Sequence, residues 1–231
     1  GENRNHGFEN WGLNKYSLIK EKFNKKYFLN KNSNIQKNTN YSQFDFLQKL
    51  NIKISESSNF IFNIQHSKSS NIDRYDKLNE FTSTDDLKYS QWYYGPQNRL
   101  LISSQILINP NKNLIESGSI TAAYQNIQES RIQRKFGSLD RSYREENVDV
   151  FSVNGDFSLT LTEDKTRALS YGFEFAYNDV SSNSYGKTLN VSNGEINGFT
   201  EGFKVQSRYP DGGSDYFSSA LYINYRQDLN S

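Results

Sequence analysis

The alternation of apolar and polar residues predicts an all-β chain, with antiparallel up-and-down strands forming part of a transmembrane β-barrel wall. Three observations carry this. Phe151, Val153, Phe157, Leu159 and Leu161 share one parity, interrupted only by Gly155, while Ser152, Asn154, Asp156, Ser158 and Thr160 take the other. Leu169, Tyr171, Phe173, Phe175 and Tyr177 repeat the pattern after a short turn. Side chains of a strand point to opposite faces at period two, so each stretch has one apolar and one wet face. Finally, the connections alternate between short turns and long polar loops, as in the wall of an outer-membrane barrel.

Gly1 to Asn40 is rich in Asn and Lys with scattered aromatics and no sustained period, which predicts a long extracellular loop. The first strand is expected from about Tyr41 to Ile54, with Phe44, Phe46, Leu50, Ile52 and Ile54 on one face. Ser55 to Asn59 is turn chemistry, and Phe60, Phe62 and Ile64 mark a second strand to about Ser67. A polar loop spans Lys68 to Lys88. A long third strand runs from Tyr89 to Ile108, closed by Asn109-Pro110-Asn111-Lys112 because Pro cannot continue a ladder. The fourth strand covers about Ser119 to Arg131, and Gln133 to Glu146 reads as a charged loop. The fifth and sixth strands meet at Glu163-Asp164-Lys165-Thr166. Asn178 to Ser214 reads as a long Gly/Ser/Asn-rich loop, and a seventh strand, Asp215 to Arg226, sets Phe217, Leu221, Ile223 and Tyr225 on one face.

Bulk properties agree with a wall that is apolar on one side only. Hydrophobic residues make up 34% of the 231 and mean hydropathy is −0.85, poor for a soluble core of this size, yet aromatics reach 15%. A barrel with a wet lumen needs one apolar face per strand plus aromatic girdles. No run approaches the roughly 18 apolar residues of a spanning helix. Net charge is +1, so nothing demands nucleic acid as partner. Cysteine is absent, which excludes disulfides, thiolate metal sites and a cysteine nucleophile. No nucleotide loop, zinc motif or serine elbow appears, so neither a cofactor nor catalysis is expected. The opening Gly1-Glu2-Asn3-Arg4 has no leader character, and about seven strands cannot close an even-numbered barrel. The chain is therefore expected to be an internal piece of a longer protein.

Arg74-Tyr75-Asp76-Lys77-Leu78, followed by Gln91-Trp92-Tyr93-Tyr94-Gly95-Pro96-Gln97-Asn98-Arg99-Leu100-Leu101, resembles the barrel of TonB-dependent outer-membrane receptors of the haem and iron-siderophore type. Ala123 to Arg131, Glu145 to Val150, Tyr177 to Val180 and Arg208 to Gly212 are similar to the same family. The resemblance covers most of the chain from Tyr41 onward. It implies a barrel of about 22 strands with a plugged lumen. It also implies uptake of ferric siderophores or haem, energised by the TonB complex through a plug domain that this sequence lacks. The implied setting is the outer membrane of a Gram-negative bacterium, with its lipid as solvent. Asn109-Pro110-Asn111 continues with Lys112 and falls in an expected periplasmic turn, so the Asn-Pro-Asn-Leu signature of some haem receptors does not carry over.

The candidate ligand-binding residues flank the expected extracellular loops. Arg74, Tyr75, Asp76, Trp92, Tyr93 and Tyr94 suit stacking on and pairing with an anionic planar ligand. The structural reading, an interfacial aromatic girdle with Arg–Asp ties between loops, is favoured over it. Arg134 and Arg141, with Arg131, Lys135 and Arg144, form a basic rim suited to anionic chelates or lipopolysaccharide phosphates. The interleaved Asp140, Glu145 and Glu146 favour a self-neutralising network instead. His66 shares parity with Phe60, Phe62 and Ile64, which argues against haem ligation, and His6 lies in the N-terminal loop. Asp85 and Asp86 lack the oxygen-ligand spacing of a calcium loop. Two other readings compete with uptake. A soluble all-β ligand- or glycan-binding or adhesin module explains the alternation but not the loop polarity, and a barrel enzyme would carry its activity in the loops.

Overall fold

The computed structural model describes residues 15–16, 28–29, 38–110, 114–192 and 195–228. Most of the expected N-terminal loop, including His6, lies outside them, as do Asn111, Lys112 and Asn193. Within the loop, β1 (Lys15–Tyr16) and β2 (Phe28–Leu29) pair as a short antiparallel ladder.

The remaining elements are β3 (Gln43–Ser55), β4 (Ser58–Ser69), β5 (Ile72–Asp73), α1 (Tyr75–Leu78), β6 (Tyr89–Tyr94), β7 (Asn98–Ile108), β8 (Ser117–Lys135), β9 (Asp140–Thr160), β10 (Arg167–Ser192), β11 (Glu195–Phe203) and β12 (Gly213–Gln227). Seven strands build one wall in the order β3, β4, β7, β8, β9, β10, β12, every pair antiparallel. The wall is a curled open sheet, a half-barrel. No helix among the described residues is long and apolar enough to cross a membrane.

The register aligns the apolar parities into one continuous face. Ile52, Phe60, Ile106, Ile120, Gly155, Phe173 and Leu221 form a single cross-strand row. One residue along each strand, Asn51, Ile61, Gln105, Thr121, Asn154, Glu174 and Ala220 form the row on the opposite face. Along β9, Phe151 and Val153 are exposed, at 52% and 39%, while Ser152 and Asn154 between them are partly covered. β10 repeats this with Phe175 and Tyr177 exposed and Ala176 and Asn178 partly covered. Curvature explains the difference, since the polar side chains crowd on the inner side and the apolar ones splay on the outer. The buried apolar residues Leu78, Leu87, Ile132, Phe136 and Leu189 all lie near one end, away from the apolar rows.

Glycines in the wall sit beneath aromatic rings of their cross-strand partners. A Cβ on Gly155 would fall 2.6 Å from the Phe173 ring, and one on Gly172 would fall 2.5 Å from Tyr222. The ring covers backbone that a glycine leaves bare, which explains the one break in the β9 apolar parity.

Four sequence expectations are corrected. The third strand is two. Gly95, Pro96 and Gln97 separate β6 from β7 and face only Glu129 and Ser130 of β8, a bulge at which Pro96 donates no hydrogen bond. The charged loop Gln133 to Glu146 is mostly strand, and β8 and β9 are joined through Phe136–Leu139 alone. The loop Asn178 to Ser214 is also largely strand. β10 runs for 26 residues, with β12 pairing its first part up to Ser181 and β11 its last, from Gly186. The connection from β11 ends in a turn at Pro210–Gly212, where Asp211 and Gly212 take φ of 55° and 85°. The polar loop Lys68 to Lys88 also contains β5 and α1.

The short turns hold at the other end. Asn109 N–H donates to Ser57 O at 2.7 Å. Asp164 accepts from Thr166 N–H at 3.1 Å and from its hydroxyl at 2.8 Å, and the Thr162 side chain first, then these two bonds, hold the Asp164 carboxyl down to about 2.

Candidate functional site

β8, β9 and β10 continue well past the apolar rows. From Tyr124, in the uppermost apolar row, to Arg134 is ten residues of β8, about 33 Å of strand. This extension gathers the sequence-identified residues, but strand alternation divides them between its two faces.

The continuation of the polar face carries Trp92, Tyr94, Arg131, Arg144, Glu146 and Ser182. β6 brings Trp92 opposite Gln133 and Tyr94 opposite Arg131. Arg74, just before α1, donates its backbone N–H to Trp92 O at 2.9 Å and lays its guanidinium 4.8 Å from the Trp92 ring centre and 5.5 Å from that of Tyr94. Its Nε and Nη2 grip both oxygens of Asp76 at 2.7 and 2.5 Å, and Nη1 donates to the Tyr94 hydroxyl at 2.7 Å. Arg74 is thus satisfied internally and fastens α1 to β6. Tyr75 opens α1. Arg131 stacks on the same Tyr94 at 5.7 Å, with its Nε buried and unbonded.

The Arg74 fork holds the Asp76 carboxyl down at about 2. Because that value lies below the unfolded carboxylate range, the tie contributes fully above about pH 4 and is lost as pH falls toward 2. In a Trp11→Phe background, Trp92 fluorescence is therefore expected to change between pH 4 and 2, and Asp76→Asn should abolish that acid transition.

Residues 204–209 cross this polar face. Ser184 Oγ donates to Val205 O at 2.6 Å, Arg144 Nε donates to Gln206 O at 3.2 Å, and Arg208 Nη1 stands 3.9 Å from Glu146 Oε2. Beneath them both Glu146 oxygens and the Ser182 hydroxyl are buried without hydrogen bonds. The crossing, with Arg74, Arg131, Trp92 and Tyr94, gives a surface of cations and aromatics beside the unsatisfied Glu146 carboxylate and Ser182 hydroxyl.

The face that continues the apolar side carries Tyr93, Arg134 and Arg141. One cross-strand row holds Gln91, Arg134, Arg141 and Lys187, and the row below holds Tyr93, Ile132, Tyr143 and Tyr185. Arg134 is 1% exposed and Arg141 8%. Both donate Nε to the same Gln91 Oε1 at 3.0 Å, Arg134 Nη1 donates to Ser138 O at 2.8 Å, and Arg134 Nη2 has no partner. Burial, with the adjacent Arg141, pushes the Arg134 guanidinium down to about 10.

For Arg134 and Arg141 the expected self-neutralising network is therefore corrected. Asp140 and Glu146 point to the other face, Asp140 taking the Thr188 hydroxyl, and Glu145 is engaged by the Tyr185 hydroxyl at 2.7 Å. The strand period separates Arg134 and Arg141 from Asp140 and Glu146, while Arg131 and Arg144 share the face of Glu146. Because the Arg134 charge is a desolvation cost, Arg134→Met is expected to leave stability unchanged or raise it by up to about 2 kcal/mol in anion-free buffer, read from a denaturation midpoint.

His66 lies on the apolar parity and bonds Asn98 Oδ1 at 2.8 Å. Sequence reasoning named Gln91 only as the first residue of the Gln91–Leu101 stretch, and missed Lys187 and Phe199, which stand in no motif. Among the described residues no three His, Asp or Glu side chains are grouped to hold a metal ion. No family model, curated protein or solved structure matches the chain.

Proposed function

We propose that the chain is a portion of the barrel wall of an outer-membrane active-uptake receptor for iron chelates or haem, energised through TonB. One observation carries the membrane part of this reading. Among the described residues the apolar face of the wall is continuous and uncovered, while the buried apolar side chains sit in α1, in the segment before β6 and in the strand extension. A soluble module of this size would need a second layer over that face. From Tyr177 down to Leu169 on β10 the apolar side chains span about 27 Å of strand, which at barrel tilt approaches the ~25 Å band of an outer-membrane wall. The polar face is then the lumen wall. The residues 204–209 that cross it, with Arg74, Arg131, Trp92 and Tyr94 beside them, form the surface that an anionic chelate entering from outside meets first. The cargo class rests on the sequence resemblance and on this cationic, aromatic chemistry.

The test has two parts. Expressed in an iron-limited Gram-negative host, the protein carrying this wall is expected in the outer-membrane fraction. In detergent, haem or a ferric siderophore should quench Trp92 fluorescence, and Arg131→Ala should weaken the quenching. Recovery as a soluble monomer without detergent would reject the membrane reading. Outer-membrane location with no quenching by any iron chelate would reject the cargo alone.

A further inference from the structure

We propose that Arg134, Arg141 and Lys187 form a binding site for a phosphate monoester on the outer flank of the strand extension. The three side chains are consecutive in one cross-strand row, a placement in which like charges repel. Among the described residues none of the three makes an ion pair. Arg134 and Arg141 share the single carbonyl of Gln91, Arg141 Nη1 also donates to the Tyr143 hydroxyl at 3.2 Å, and Arg134 Nη2 is left buried with nothing to donate to. A buried guanidinium without a counter-charge is costly, and an unsatisfied buried donor calls for a partner of its own. The walls are aromatic. Lys187 Nζ lies 5.1 Å from the Phe199 ring centre, 5.2 Å from Tyr185 and 5.9 Å from Tyr143, and Arg141 stands 6.0 Å from Phe199.

The unpartnered Arg134 Nη2, with the Arg141 guanidinium and the Lys187 ammonium beside it in the same row, matches a tetrahedral dianion better than a single carboxylate. The site shares the face of the apolar rows, not the polar face, so it does not belong to the surface proposed for cargo and stands whether or not that reading holds. Its ligand approaches from outside the wall, either as free phosphate or as the phosphate of a lipid headgroup.

The test uses the full chain folded in detergent and titrated with sodium phosphate at ionic strength fixed by chloride. Phosphate is expected to raise the melting temperature where chloride does not. Arg134→Met and Arg141→Met should each weaken that response at least tenfold, and Arg167→Met, at the opposite end of β10, should leave it unchanged. Lys187→Met, away from the buried floor, gives the same readout if the arginine variants fail to fold. A second arm compares lipid A micelles with dephosphorylated ones. Binding there at least tenfold tighter than to free phosphate assigns the site to a lipid headgroup, and parity assigns it to a soluble phosphate; either supports the site. No phosphate-specific shift, or an equal loss in Arg167→Met, overturns it.

Discussion

Phe173→Arg is expected to prevent the chain from assembling into a membrane, while Glu174→Arg, one residue away, leaves assembly intact. Phe173 sits near the middle of the apolar face, between Gly155 and Leu221, and Glu174 sits on the polar face between Asn154 and Ala220. If lipid is the solvent of the apolar face, an arginine at its midplane costs about 2–4 kcal/mol. That is a large share of the ~5–15 kcal/mol that holds a typical fold together. On the polar face the same charge meets water and costs little. The measurement is the protease-resistant, heat-modifiable fraction after folding into lipid vesicles, repeated as recovery in the outer-membrane fraction. Equal assembly of both variants, or equal failure of both, would mean that the two faces do not see different solvents. Pairing the variants removes the ambiguity of a single failed fold, because the two positions share the same strand and are flanked by the same two strands.

The wall was legible in the sequence wherever its two faces meet different surroundings. Phe151 to Thr160, broken only at Gly155, and Leu169 to Tyr177 carry an apolar side chain at every second position, and the structure pairs them in register across β9 and β10. Past Val150 and Tyr177 that contrast ends. On β10 one face carries Asp179, Ser181 and Asn183 and the other carries Val180, Ser182 and Ser184, so the strand continues without a hydrophobic period. A polar strand and a polar loop then look alike, since period-two patterning reports a difference between faces and not the backbone itself. Ladder pairing with β9 up to Thr188 holds this part extended, and pairing is invisible in one strand's sequence. The break at Gly95-Pro96-Gln97 was hidden for the opposite reason, because the apolar residues on both sides read as one run.

The candidate residues were found by type but not by grouping. Trp92, Tyr93 and Tyr94 are contiguous, yet the strand sends Trp92 and Tyr94 to Arg74 and sends Tyr93 to the row beneath Arg134 and Arg141. Arg134 and Arg141 meet because the four residues Phe136–Leu139 fold the chain back in register. Lys187 joins them from 46 positions beyond Arg141, through the β9–β10 ladder. Gln91 matters only because one carbonyl happens to face two guanidiniums. No spacing rule reaches such partners, because they depend on register, which the turns and the apolar rows set elsewhere.

Gly172→Ala is expected to destabilise the wall by roughly 2–3 kcal/mol, and Gly155→Ala by about 1 kcal/mol or less, although both glycines lie under aromatic rings. The difference is in what each new methyl group meets. At Gly155 the near atoms are side chains, the Phe173 ring at 2.6 and 2.8 Å and the Phe157 ring at 3.1 Å. Rings on an uncovered face can turn aside. At Gly172 the nearest atom is the backbone oxygen of Gly155 at 2.3 Å, with the Tyr222 ring at 2.5 Å. That oxygen belongs to a ladder that pairs β9 and β10 continuously from Ala168 to Thr188, so moving it strains the register of the wall's two longest strands. Tyr222 is itself tethered, its hydroxyl donating to Asp156 at 2.7 Å. Denaturation midpoints in a fixed detergent would rank the two variants. Rescue separates the causes further: Phe173→Ala should relieve Gly155→Ala, because it removes the obstacle, whereas Tyr222→Ala should leave most of the Gly172→Ala cost in place. Full rescue by Tyr222→Ala would instead locate the strain in the ring, and the close approach of the two strands would then carry none of it.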